Sequence, residues 1–210
     1  MIEEFSRAQS TARVLKLASL PRERIEAILL KRGISPESIP DVKAALGVVN
    51  VPLNAQEAVS YSFQEPYRVG RFGDGSFGVF YSAREEPTVF EEISYHHRRQ
   101  LAEQRSGAFA HDRFCDLISC DFTGDALSLI GTEVKHLELV SATEDGYPFC
   151  QRLAKAAIAQ GVDAFYTRSA RHQNGTCVPI FNSSSITNIQ TLARFRFFAE
   201  MGQSRHERLP

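Results

Sequence analysis

The sequence predicts an α+β domain in which mixed β-sheets are flanked by helices, and three features of the chain predict it. The segment YSFQEPYRVGRFGDGSFGVFYSA brings aromatics and glycines together with little helical periodicity, which reads as strands and tight turns. Pro87 and Pro148 each open an amphipathic pattern of helical period. Late in the chain two apolar runs flank Asn174-Gly175, the dipeptide that most readily takes the positive φ angles of a hairpin. At 210 residues the chain suits one main core, since domains typically run to about 100–200 residues.

Across residues 20–32, Ile25, Ile28 and Leu29 recur at helical spacing. Pro21 suits a first-turn position, where its missing N–H costs nothing, and Gly33 ends the helix. A second short helix is expected over residues 36–46, closed by Gly47 in the left-handed cap conformation. Residues 1–60 therefore read as a helical N-terminal extension and residues 61–200 as the main domain. Within that domain Val79-Phe80-Tyr81 is a strand, and the helix opened by Pro87 carries the apolar stripe Phe90, Ile93, His97 and Leu101, which would face a sheet.

Residues 112–140 show no clear period apart from HLELV, a strand candidate. The helix from Pro148 carries Leu153, Ala157 and Ile158 and closes at Gly161. Residues 162–166 follow as a strand, with residues 177–181 as its partner across the turn. Pro179 cannot donate to a ladder and so implies an edge or an irregular pairing. The polar tail after Met201 is expected to fray.

Composition narrows the function classes. A formal charge of −1 lacks the broad positive field with which most nucleic-acid binders neutralise phosphates, so no direct nucleic-acid contact is expected. His96-His97-Arg98-Arg99 reads as a solvated helix face. Cys115, Cys120, Cys150 and Cys177 show neither the CxxC spacing of a zinc site nor the density of a disulfide scaffold; no metal is expected, and the thiols read as buried. No stretch approaches the ~20 apolar residues of a membrane span, and the acidic, charge-interrupted N-terminus does not read as a signal peptide. The expectation is a soluble cytoplasmic protein.

Gly73, Gly75 and Gly78 fit G-x-G-x-x-G, the pattern of a dinucleotide-binding turn at a helix start. The residues that follow are strand-like, and a kinase would need HRD and DFG sequences that this chain lacks. The glycines are better read as shaping a turn beside a pocket.

Arg71-Phe72, then residues 78–83, then Phe90-Glu91-Glu92 resemble the opening signature of the RES family, named for its arginine, glutamate and serine. Its members carry an arginine before a strand, a tyrosine ten residues on and a glutamate eleven further on in a helix. Arg71, Tyr81 and Glu92 have those offsets, although Glu91 adjoins Glu92 and a shift of one residue stays open. Residues 161–166, the run Arg168-Ser169-Ala170-Arg171-His172, and then Gly175, Cys177-Val178 and Phe181 resemble the family's late strand-turn-strand carrying the serine. These blocks span residues 66–181. Thr167 departs from the proline or small residue of the family, and Asn174-Gly175 replaces its usual glycine pair; both keep the turn chemistry.

The resemblance implies an ADP-ribosyltransferase-like fold whose sheets surround an NAD cleft, with NAD as substrate and no metal. It also implies a toxin paired with an Xre-like helix-turn-helix antitoxin, acting by hydrolysis or phosphorolysis of NAD or by attaching ADP-ribose to a protein. A catalytically silent binding module is the alternative of another class, and an oligomer is possible.

Residue chemistry suits that implication. Breaking the nicotinamide-ribose bond expels a neutral group, so no general acid is needed, and the difficulty is the positive charge developing on the ribose, as in glycoside hydrolysis. Glu92 would supply the fixed carboxylate, where an ordinary glutamate would merely decorate a charged helix. Arg71 offers a planar fork for the pyrophosphate, against a surface salt bridge. Tyr81 offers a flat face for nicotinamide, against simple core packing. Ser169 would bond the nicotinamide amide or the ribose, against turn chemistry. Arg171, with Arg168 and His172, would hold phosphate. A serine-hydrolase reading of Ser169 with His172 lacks the G-x-S-x-G elbow.

Overall fold

The computed structural model describes residues 2–19, 25–45, 52–103, 113–200 and 203–210. Its first element is not a helix but the strand β1 (Ser6–Ser19), which corrects the all-helical lead-in expected over residues 1–60. Buried Ala12 and Val14 alternate with exposed Thr11 and Arg13, the period of a strand with one face inward. The alternation is short, and what holds β1 extended is a ladder to β3 (Arg113–Ser128), running from Ser6 opposite Ser128 to Ser19 opposite Cys115. Helices do follow: α1 (Ile25–Lys31), α2 (Ile39–Ala45) behind a 3-10 turn at Pro36–Ser38, and α3 (Ala55–Tyr61). The expected start at Leu20-Pro21 and stop at Leu46-Gly47 lie outside the described residues. Asn54 caps α3 by accepting from the Glu57 amide, and Glu57 in return accepts from the Leu53 amide.

The remaining elements are β2 (Phe80–Ala83), α4 (Glu86–Glu103), α5 (Tyr147–Ile158), β4 (Ala164–Arg168), β5 (Thr176–Ile180), β6 (Ile186–Glu200) and β7 (Gln203–Leu209). The strands form one sheet in the order β1-β2-β5-β4-β3-β6-β7, and β1 also pairs with β3, so the first five strands close on themselves. β3 and β4 run parallel; the other pairs are antiparallel, giving a mixed sheet. All five strands of the circuit feed one buried cluster, through Val14, Phe80, Phe122, Ala164 and Val178 among others. α5 sets Leu153, Ala154 and Ala157 against Phe165 and Leu127. α4 sets Val89, Phe90 and Ile93 against Leu17, Leu117 and Phe197. Mixed strands flanked by helices agree with the predicted α+β class.

Local departures have identifiable causes. HLELV is not a strand: Leu137–Val140 is a 3-10 turn, with Leu139 buried while Leu137 is exposed. The carbonyls of Leu139 and Ser141, which a neighbouring strand would need, are taken by Arg71. The tail after Met201 is not frayed at 203–209, where β7 pairs with β6 from Glu200 opposite Gln203 to Arg194 opposite Leu209; a backbone ladder needs no apolar side chains. β5 lies between β2 and β4, so Pro179 is not at an edge; the β4 ladder is interrupted between Ile180 and Cys177, the irregular pairing a missing N–H requires. The turn at Asn174 (φ +64°) closes a loop of residues 169–175, not a two-residue hairpin. In the basic cluster His97 is buried, with Nδ1 2.8 Å from Ser204 Oγ, while its three neighbours are exposed. Cys115, Cys120 and Cys150 are buried and Cys177 is half-buried. No helix among the described residues is long and apolar enough to cross a membrane.

Candidate functional site

Beside the strand circuit lies a cavity of about 1230 Å³ whose walls include Arg71, Tyr81, Glu92 and Arg171. The guanidinium, the phenol and the carboxylate, widely spaced in sequence, thus share one space. Gly73, Gly75 (φ +89°) and Gly78 lie in the turn before β2 and open no helix.

Arg71 sits in the loop between α3 and β2. Its Nη1 donates to Leu139 O and its Nη2 to Ser141 O, each at 2.7 Å, so both ends of the fork hold the 137–141 segment. Three of the five N–H groups of an arginine are left for a ligand. The same loop is held from α5, where Gln151 Nε2 donates to Gly70 O at 2.9 Å. Tyr81, in β2, presents a ring that is 36% exposed, while its hydroxyl accepts from the Phe72 amide at 3.0 Å. A side chain at residue 70 is excluded, because a Cβ there would lie 2.7 Å from that hydroxyl. Burial raises the Tyr81 pKa, keeping the phenol neutral.

Glu92 is half-buried in α4 and faces the cavity, whereas Glu91 is exposed and does not line it. Of the adjacent pair it is Glu92 that the helix presents to the cavity. One carboxylate oxygen, Oε1, accepts from Ser169 Oγ at 2.7 Å and from Cys177 Sγ at 3.6 Å. Burial, and then the Glu92 charge, raise the Cys177 pKa, so the sulfur keeps the proton it donates. Oε2 has no such partner among the described residues and is open to a ligand.

Ser169 does not line the cavity. Its single proton goes to Glu92, and its oxygen accepts from the amides of Arg171 and His172, each at 3.0 Å. One donor and two lone pairs are all a serine hydroxyl has. Ser169 is therefore placed to hold Glu92. The loop that carries it is tied to the start of α4: Thr88 Oγ1 donates to Glu85 Oε2 and so accepts from the Nδ1–H of His172, both at 2.9 Å. Glu85 Oε2 also accepts from the Thr176 amide. Gly175 closes the loop where a Cβ would lie 2.4 Å from Thr88 Oγ1 and 2.7 Å from His172 Nδ1. Gly175→Ala is expected to dislodge the serine loop and to destabilise the fold by about 1–3 kcal/mol, the scale of overpacking a tight site. Urea unfolding of the variant beside the wild type would measure it, and a change below about 0.5 kcal/mol would contradict the tight packing.

Sequence reasoning missed three wall residues. Tyr147, at the start of α5, stands with its ring 6.0 Å from the Arg71 guanidinium carbon; an aromatic directly before Pro148 was the available signal. Cys177 precedes buried Val178 in β5, so strand alternation turns it toward the cleft. Lys16 lies in β1, which was read as part of a helical region. Its ammonium is 4.3 Å above the Phe80 ring and 3.4 Å from Ser62 Oγ. Burial first, then the nearby Arg68, lower its pKa to about 8.

A lowered lysine pKa means that the unfolded chain holds the proton more tightly. The charge therefore costs stability in full below about pH 8, and the cost fades as pH rises toward the unfolded value of 10.5. Lys16→Met is expected to stabilise the protein at pH 7 by about 3 kcal/mol, at 1.36 kcal/mol per pKa unit. Denaturant unfolding should show that gain at pH 7 and lose it near pH 10.5.

The cavity wall carries six cationic side chains, Lys16, Arg68, Arg71, Arg113, Arg168 and Arg171, and among the described residues one carboxylate, Glu92. In a chain of net charge −1 the cavity wall thus concentrates positive charge around a single acid. The chain belongs to the RES domain family, whose profile matches residues 49–197, more than two thirds of its length. No curated protein matches it in sequence.

Proposed function

We propose that the cleft binds NAD+ as substrate and cleaves its nicotinamide-ribose bond. The observation that carries this reading is the lone carboxylate among the described wall residues: Glu92 has Oε1 held by Ser169 and Cys177 and Oε2 open, in a cavity whose other charged wall residues are cations. The pyrophosphate of a dinucleotide suits the arginines, and the positive charge that grows on the ribose as nicotinamide leaves suits the single anion. Tyr81 and Tyr147 offer ring faces for the nicotinamide, and Arg171, whose guanidinium carbon lies 3.6 Å from the Tyr95 ring centroid, is a phosphate ligand of restricted motion. The sheet, with its strand circuit beside the cleft, is read as ADP-ribosyltransferase-like.

In this reading the protein is a toxin acting on the cytoplasmic NAD+ pool and held in check by an Xre-like helix-turn-helix antitoxin. Water, phosphate or a protein side chain can each capture the ribosyl cation. Incubation with NAD+ labelled in the adenosine, alone, with phosphate and with cell lysate, would identify the acceptor. Free ADP-ribose or its phosphate adduct is the expected product; label on a protein band would favour ADP-ribosylation, and intact NAD+ in every arm would contradict the reading.

A further inference from the structure

Two cations of the cleft wall, Lys16 and Arg68, stand together beside Tyr61-Ser62. Lys16 and Arg68 are close enough for Arg68 to make the Lys16 charge harder to hold. The described residues offer neither of them a carboxylate: Lys16 has Ser62 Oγ and the Phe80 ring, and Arg68 has the Tyr61 ring at 5.4 Å. A half-buried ammonium and a guanidinium facing one cavity without a carboxylate between them repel each other. Such a pair persists in a cavity wall at a cost in stability, which is the usual mark of a ligand site.

Charge counting points the same way. NAD+ brings two phosphodiester-type charges; Arg168 and Arg171 stand at the loop that holds Glu92, and Arg71 lines the same cavity. A cavity of about 1230 Å³ also exceeds the roughly 300–1,000 Å³ of common ligand pockets, leaving room for a further group. The missing partner is a compact dianion with several acceptor oxygens, able to take donors from an ammonium and a guanidinium together.

We infer that Lys16 and Arg68, with Ser62 Oγ accepting from the ammonium and donating to Ala58 O, form a subsite for a phosphate monoester carried on the ribose of the dinucleotide, so that the cleft takes the 2′-phosphorylated form, NADP+, in preference to NAD+. The inference rests on reading the cleft as a dinucleotide site. A cationic side chain on the ribose 2′-phosphate is a general way of telling the two dinucleotides apart.

The test uses probes that cannot be cleaved at nicotinamide. Titration calorimetry of the full chain with AMP, adenosine 2′,5′-bisphosphate and inorganic phosphate would be run on the wild type, Lys16→Met and Arg68→Gln. The bisphosphate is expected to bind at least tenfold tighter than AMP to the wild type, with the advantage falling below threefold in either variant. Lys16→Met removes a desolvated charge, so misfolding does not confound it. Equal affinity for the two nucleotides, or a preference that survives both variants, overturns the inference. Inorganic phosphate binding that depends on Lys16, with no gain of the bisphosphate over AMP, overturns it as well. NAD+ cleavage without a bisphosphate preference sinks this inference alone; a bisphosphate preference without nicotinamide release sinks the cleavage reading alone.

Discussion

Glu92→Gln is expected to slow nicotinamide release by about 10²–10³, the cost of removing one preorganised charged group from a reacting centre. Glutamine keeps the length of the side chain and an oxygen to accept from Ser169, so α4 and the serine loop stay in place while the charge disappears. Binding should survive better than turnover, since the carboxylate acts most strongly on the ribosyl cation of the transition state. Steady-state rates with a thermal melt would report both. Glu91→Gln is the matched control, because Glu91 is exposed one position away and does not line the cleft. A turnover that changes less than threefold in Glu92→Gln, or falls equally in Glu91→Gln, would remove Glu92 from the chemistry.

Phe80→Ala is expected to cost about 3–5 kcal/mol, the range for truncating a fully buried phenylalanine. Phe80 is 0% exposed and belongs to the cluster fed by the five strands that close on themselves. Its loss would also withdraw the ring beneath the Lys16 ammonium and loosen β2 next to Tyr81. Urea unfolding measures the change, and a loss below 1 kcal/mol would mean that the strand circuit does not share one core.

Much of the site was legible because its signals are local. Proline at a helix start placed α4 and α5 nearly to the residue, and the spacing from Arg71 through Tyr81 to Glu92 survives as a shared cavity. The rest depends on partners far away in sequence. β1 is held by pairing with β3 more than a hundred residues on, and its alternation covers too few residues to outweigh a neighbouring helical pattern. Missing β1 meant missing Lys16. β7 is polar but for Leu209 and is recruited by β6 through a backbone ladder, with contacts such as Arg196–Glu207 and Phe197–His206 added across it, which no hydrophobic period announces. Ser169 was recognisable as a residue of interest, but that its hydroxyl is saturated follows only from the loop that folds two amides back onto it.

A carboxylate that stabilises a ribosyl cation is central to the proposed function, and the most direct measurement is the time course of free nicotinamide from NAD+ incubated with the purified chain. Nicotinamide rising in step with NAD+ loss, at a rate proportional to protein, is the predicted result. NAD+ that binds in the cleft and is recovered intact would contradict it.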